Sequence, residues 1–74
     1  MRVKFLDGKN NINIVESFNV YEVDNDITVH YNYTGFGQEF RSTADTFHVD
    51  NAKELLIGAF ETGLLDLTKA KLVE

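Results

Sequence analysis

The chain has 74 residues, no cysteine, no proline and a net charge of −5 at pH 7. That length makes a single domain over residues 1–74, and the lack of cysteine excludes disulfides and thiolate metal sites. Residues 10–68 hold ten of the twelve acids against Arg41 and Lys53, so direct binding to a nucleic-acid backbone is not expected.

Hydrophobic residues make up 43 % of the chain, enough for a folded core. No run approaches the ~20 apolar residues that cross a membrane as a helix. Met1–Leu6 alternates before reaching Asp7-Gly8, so a signal peptide is not expected and a cytoplasmic location is.

In chain order, Met1–Leu6 reads as a strand, with Val3 and Phe5 alternating against Arg2 and Lys4. Asp7-Gly8 signals a turn, and Lys9-Asn10-Asn11 extends the loop. Ile12 and Ile14 restart an alternation that runs through Phe18 and Val20. Its parity switches near Tyr21 and Val23, which calls for a bulge or for cover on both faces. Asp24-Asn25-Asp26 is a turn. Ile27–Thr34 alternates most cleanly, with Ile27, Val29, Tyr31 and Tyr33 on one face. Gln38–Ala44 is its return strand. A tight or four-residue loop at Gly35-Phe36-Gly37 would set Phe40 on the face of Tyr31 and Tyr33.

Asn51, with Glu54 three residues on, has the spacing of a helix-opening capping box. Ala52, Leu55, Leu56, Ala59 and Phe60 form one apolar stripe, a core face. Gly63 is a left-handed stop. Thr68–Val73 has the alternation of a short final strand, its lysines suited to an edge. The expected fold is α+β: a four-stranded antiparallel sheet, β-β-β-β-α with a short final strand, and one helix on one face.

The stretch YNYTGFGQEF, residues 31–40, is first a hairpin whose glycines supply turn geometry. It lacks the third glycine and following helix of a dinucleotide site. Phe36, a large ring between two glycines, is a candidate anchor for a partner, flanked by Tyr33 and rimmed by Glu39 and Arg41. Glu22, Asp24 and Asp26 form a candidate acidic patch. As a calcium loop they fail: counting from Asp24, the sixth position is Val29 and the twelfth is Gly35. His30 and His48 lack a third ligand, so no metal or other cofactor is expected. Ser17 and Ser42 lie in strands, outside any nucleophile elbow, and no catalytic residue is assigned.

The segment AKELLIGAFETGL, residues 52–64, resembles the helix of some small acidic phage-encoded anti-CRISPR proteins. The resemblance covers a general amphipathic pattern and assigns no residue a role. The wider composition, rich in Asn, Lys, Ile, Asp and Glu, suits a bacterial or phage source. The resulting expectation is a non-enzymatic interaction protein that binds a protein partner, or itself, through the hairpin tip or a sheet edge. The alternative is an acidic mimic of nucleic acid that inhibits a nucleic-acid enzyme.

Overall fold

Alternation along the first half of the chain produces four successive strands in the computed structural model, which describes residues 2–8, 14–34 and 40–73. They are β1 (Lys4–Asp7), β2 (Val15–Val23), β3 (Asp26–Thr34) and β4 (Phe40–His48); helix α1 (Ala52–Thr62) follows, then β5 (Leu64–Leu67) and β6 (Lys71–Val73). The fold is α+β. Its one sheet has the order β5-β1-β2-β3-β4-β6. Every pairing is antiparallel except that of β1 with β5.

Strands β5 and β6 stand at opposite ends of this order, yet Thr68–Ala70 alone separates them. So short a link forces the sheet to curl until its two ends approach each other. The Ala70 N–H donates to the Leu67 carbonyl at 3.1 Å within that link. The concave face collects the core: Val3, Phe5, Val20, Ile27, Val29, Tyr31, Phe47, Leu65 and Leu67. Helix α1 packs on β5 and β2 and adds Ala52, Leu56 and Ala59. Each large aliphatic side chain buried here contributes about 1.5–3 kcal/mol.

Local chemistry explains the joints. Val23 pairs with Asp26 across the two-residue turn Asp24-Asn25, where Asp24 takes a positive φ of 56°. Aspartate tolerates that region better than most residues. Gly63 ends α1 at φ 81° and donates its N–H to the Ala59 carbonyl at 2.7 Å. The parity switch in β2 is a bulge between Ser17 and Asn19, a few residues before Tyr21, where the pattern had put it. Beside the bulge, buried Ser17 ties β2 to β1. Its Oγ donates to the Val3 carbonyl at 2.8 Å and accepts the Val3 N–H at 3.2 Å.

Several expectations are corrected. Thr34 pairs with Phe40 and Tyr33 with Arg41, so the connection is five residues long. Phe40 therefore falls out of phase with Tyr31 and Tyr33, and the inward positions of β4 are Thr43, Asp45 and Phe47. Asp7 belongs to β1 rather than to a turn, the final strand starts at Lys71 rather than Thr68, and β5 was not anticipated. Asn51 makes no side-chain cap bond, and Phe60 is exposed, outside the buried stripe.

Candidate functional site

The sheet leaves one strand edge half covered. Strand β4 pairs with β3 along its full length, Asp26↔His48 to Thr34↔Phe40. On its other side β6 reaches only Thr46, Phe47 and His48. Among the described residues, no strand pairs with the outer edge of Phe40–Asp45.

Which backbone groups face that edge follows from the ladder. In an antiparallel pair, successive residues direct their N–H and C=O to opposite sides. Val23 and Asp26 bond across the β2–β3 turn, so Asp26 faces β2 and Ile27 faces β4. Phe47, Asp45, Thr43 and Arg41 then bond to β3. The Val49 N–H, two residues beyond Phe47, keeps this phase by donating to the Asn25 carbonyl at 2.9 Å. His48, Thr46, Ala44, Ser42 and Phe40 point the other way. Strand β6 takes up Thr46 and His48, leaving Ala44, Ser42 and Phe40 with N–H and C=O on the open edge.

Two of the convex-face positions along the free half, Ser42 and Ala44, carry small side chains. Ser42 and Ala44 are exposed, and Ser42 Oγ donates to Asn32 Oδ1 at 2.8 Å. Next to this row, His30 lies between the rings of Phe18 and Tyr21, with centroids 6.0 Å and 5.7 Å away. Phe18 and Tyr21 stay 39 % and 45 % exposed, an aromatic patch on the outside of the sheet.

The concave side of β4 opens on a cavity of about 100 Å³ lined by Asp7, Gly8, Asp45, Phe47, Ala70 and Leu72. Asp7 is 4 % exposed and Asp45 half-buried. The Tyr31 hydroxyl donates to Asp45 Oδ2 at 2.6 Å, a charge-assisted bond. Phe5 meets the Tyr31 ring edge-on, centroids 4.8 Å apart, which fixes that hydroxyl. Asp45 sits opposite Val29, one diagonal step from Tyr31. The sequence reading missed Asp7, Tyr31 and Asp45 as a group. The signal was present in part: Asp45 takes an inward position once the five-residue connection is known.

The acidic patch is not one surface. Glu22 lies in register with Ile27 and Phe47 and is half-buried on the concave face. Asp24 is at the turn. Asp26 is bonded to His48 Nδ1 at 2.8 Å, and His48 Nε2 lies 3.8 Å from Asp50. Of the hairpin group, Tyr33 and Arg41 are directly opposite in the ladder. Phe36 and Glu39 lie outside the described residues. Among the described residues, no cluster of three metal-ligating side chains occurs, and no helix is long and apolar enough to cross a membrane.

Asp66 Oδ1 accepts the Thr68 hydroxyl at 2.6 Å and the Thr68 N–H at 3.0 Å. These bonds, with a smaller attraction from Lys69, hold its pKa below the usual carboxylate value. They shape the turn that leads from β5 to β6.

No family model matches this sequence, and no curated protein or solved structure matches it.

Proposed function

We propose that this chain is a non-enzymatic interaction module that binds a protein partner by accepting an extended segment on the free edge of β4. The added strand runs antiparallel to β4 and in line with β6. The carrying observation is that no strand among the described residues pairs with the outer edge of Phe40–Asp45, where three residues direct both backbone groups outward. Main-chain bonds of this kind supply affinity, and pockets for alternate side chains supply specificity. An edge left uncovered also invites aggregation, and proteins blunt such edges with lysine, proline or bulges. Phe40–Asp45, FRSTAD, contains no lysine or proline and pairs with β3 without a register shift.

Arg41 lies within the Phe40–Asp45 stretch and pairs with Tyr33 of β3, so the reading takes in half of the hairpin group. An acidic mimic of nucleic acid draws less support, because Glu22 faces inward and Asp26 is engaged by His48. In this reading the chain works in a reducing cytoplasm, in keeping with its lack of cysteine.

The experiment is proline scanning of two adjacent residues. Ser42 donates to the open side, so Ser42→Pro should leave the fold intact and abolish partner binding. Amide exchange in the free chain should be fast at Ser42 and Ala44, slow at Thr43 and Asp45, and should slow at the first pair on binding. A Ser42→Pro chain that binds as the parent does would sink the proposal.

A further inference from the structure

We infer that the outer face of α1 is a self-association surface. Two copies of this chain pair antiparallel along Lys53, Ile57, Phe60 and Glu61, with Ile57 on the two-fold axis. The surface uses no residue of the β4 edge, so the inference goes beyond the strand-addition reading and stands or falls without it.

Helix α1 buries Ala52, Leu56 and Ala59, spaced i, i+4, i+7. Lys53, Ile57 and Phe60 repeat that spacing one residue further on, rotated about 100° around the axis, and Glu61 borders the same strip. All four are exposed, with Ile57 54 % and Phe60 36 % accessible. The outer face of a surface helix ordinarily carries polar residues throughout. Here the middle of the strip is apolar and its ends are charged.

Charge selects the occupant and its direction. Lys53 and Glu61 lie two turns apart, about 12 Å along the axis, too far to pair within one helix. Among the described residues, neither belongs to an ion pair. Ile57 stands midway between them. An antiparallel second copy, turned about Ile57, sets each Lys53 against Glu61 of the other copy. A parallel copy would set Lys53 against Lys53 and Glu61 against Glu61. Two ion pairs thus close around an Ile57–Ile57 contact, the self-complementary pattern that a two-fold interface requires. Glu54 falls opposite Phe60 of the other copy, on the far side of Ile57 from Lys53, with its carboxylate at the solvated rim.

The contact is small. Helix α1 has 11 residues and is about 16 Å long. It offers less than a standard interface, so the dimer is weak, with a Kd on the order of 100 μM. The net charge of −5 opposes pairing at longer range, but salt at ~0.15 M confines that repulsion to a Debye length of about 8 Å.

The test is sedimentation velocity from about 10 μM to about 1 mM protein in ~0.15 M salt. The parent should pass from monomer to dimer over that range. Ile57→Ser, at an exposed position, should weaken the dimer about tenfold. Lys53→Glu and Glu61→Lys should each weaken it about fivefold, because like charges then meet at both ends of the strip. The double reversal should return the parent's Kd, since the same pairs form with their signs exchanged. Both reversals suit the helix ends, an acid in the first turn and a base in the last, so loss of the fold does not account for loss of the dimer. A parent that stays monomeric at about 1 mM overturns self-association and leaves the strip to a different protein or to solvent. A double reversal no tighter than the single variants overturns the antiparallel pairing. Ser42→Pro should leave the dimer as it is in the parent. A dimer that survives Ile57→Ser but not Ser42→Pro would put the second copy on β4 and overturn the role of α1.

Discussion

Strand β4 is one strand with two environments. Its C-terminal third, Thr46–His48, lies between β3 and β6 and carries Phe47, 3 % exposed. Its N-terminal two thirds, Phe40–Asp45, has β3 on one side and no strand among the described residues on the other. Nothing in local propensity separates the halves, since FRSTAD and TFH are both acceptable strand sequences. The difference is topological. Strand β6 is three residues long and covers only what it can reach. Stability therefore concentrates where the curl closes, and the outward backbone groups with no strand partner among the described residues lie where it does not.

The largest expected effect lies in the closed part. Phe47→Ala should cost about 3–5 kcal/mol, read from denaturant unfolding, because it opens a void beside the cavity and under β6. A loss below about 1 kcal/mol would mean that the closed third is not the anchor. The next pair sharpens the contrast within the open part. Thr43→Pro removes a ladder bond to Tyr31 and should cost about 2–3 kcal/mol. Ser42→Pro removes a donor that faces the open side and should cost under about 1 kcal/mol. Equal losses at the two positions would show that Ser42 has a backbone partner and that the edge is closed.

How much of this was legible depended on range. Alternation in Ile27–Thr34, the Asp24-Asn25 turn and the Gly63 stop are local signals, and each was readable. The bulge announced itself only as a parity change, displaced by a few residues. The connection between β3 and β4 was misjudged in length, and that error moved Phe40 to the other face and hid Asp45 from view. Strand β5 has four residues, LLDL, directly after the helix stop, and its partner is β1, some sixty residues away along the chain. Parallel pairing at such separation leaves no periodic trace nearby. The Asp7–Asp45 cavity needs both the curl and the corrected register, so the sequence offered only two unconnected aspartates.

Ser17 offers a medium-sized test away from β4. Read as a strand serine without catalytic context, it is the clasp between β1 and β2, 1 % exposed. Ser17→Ala leaves the Ser17 N–H bond to the Val3 carbonyl in place but strands the buried Val3 N–H. The expected cost is about 1–3 kcal/mol, with faster amide exchange in β1 and little change in β4. Equal acceleration in both would mean that the two ends of the sheet open together.

The smallest effect concerns the turn that carries the chain from β5 to β6. Asp66 is held below its ordinary pKa by the Thr68 hydroxyl and N–H. A carboxyl whose folded pKa is lowered stabilises the fold above its unfolded value of about 3.9 and loses that contribution as pH falls through the folded pKa. Asp66 is exposed, so solvent screens much of the effect. Asp66→Asn should therefore lower the melting temperature slightly at pH 7, and the gap from the parent should close as pH falls through the lowered pKa of the folded state. A gap that persists unchanged at low pH would assign the loss to the shape of the turn rather than to charge. Because this turn ties the β1–β5 end of the sheet to β6, the same variant tests whether the cover over Thr46–His48 depends on it. If it does, exchange at Thr46 and His48 should quicken while Ser42 and Ala44, already open, stay as they were.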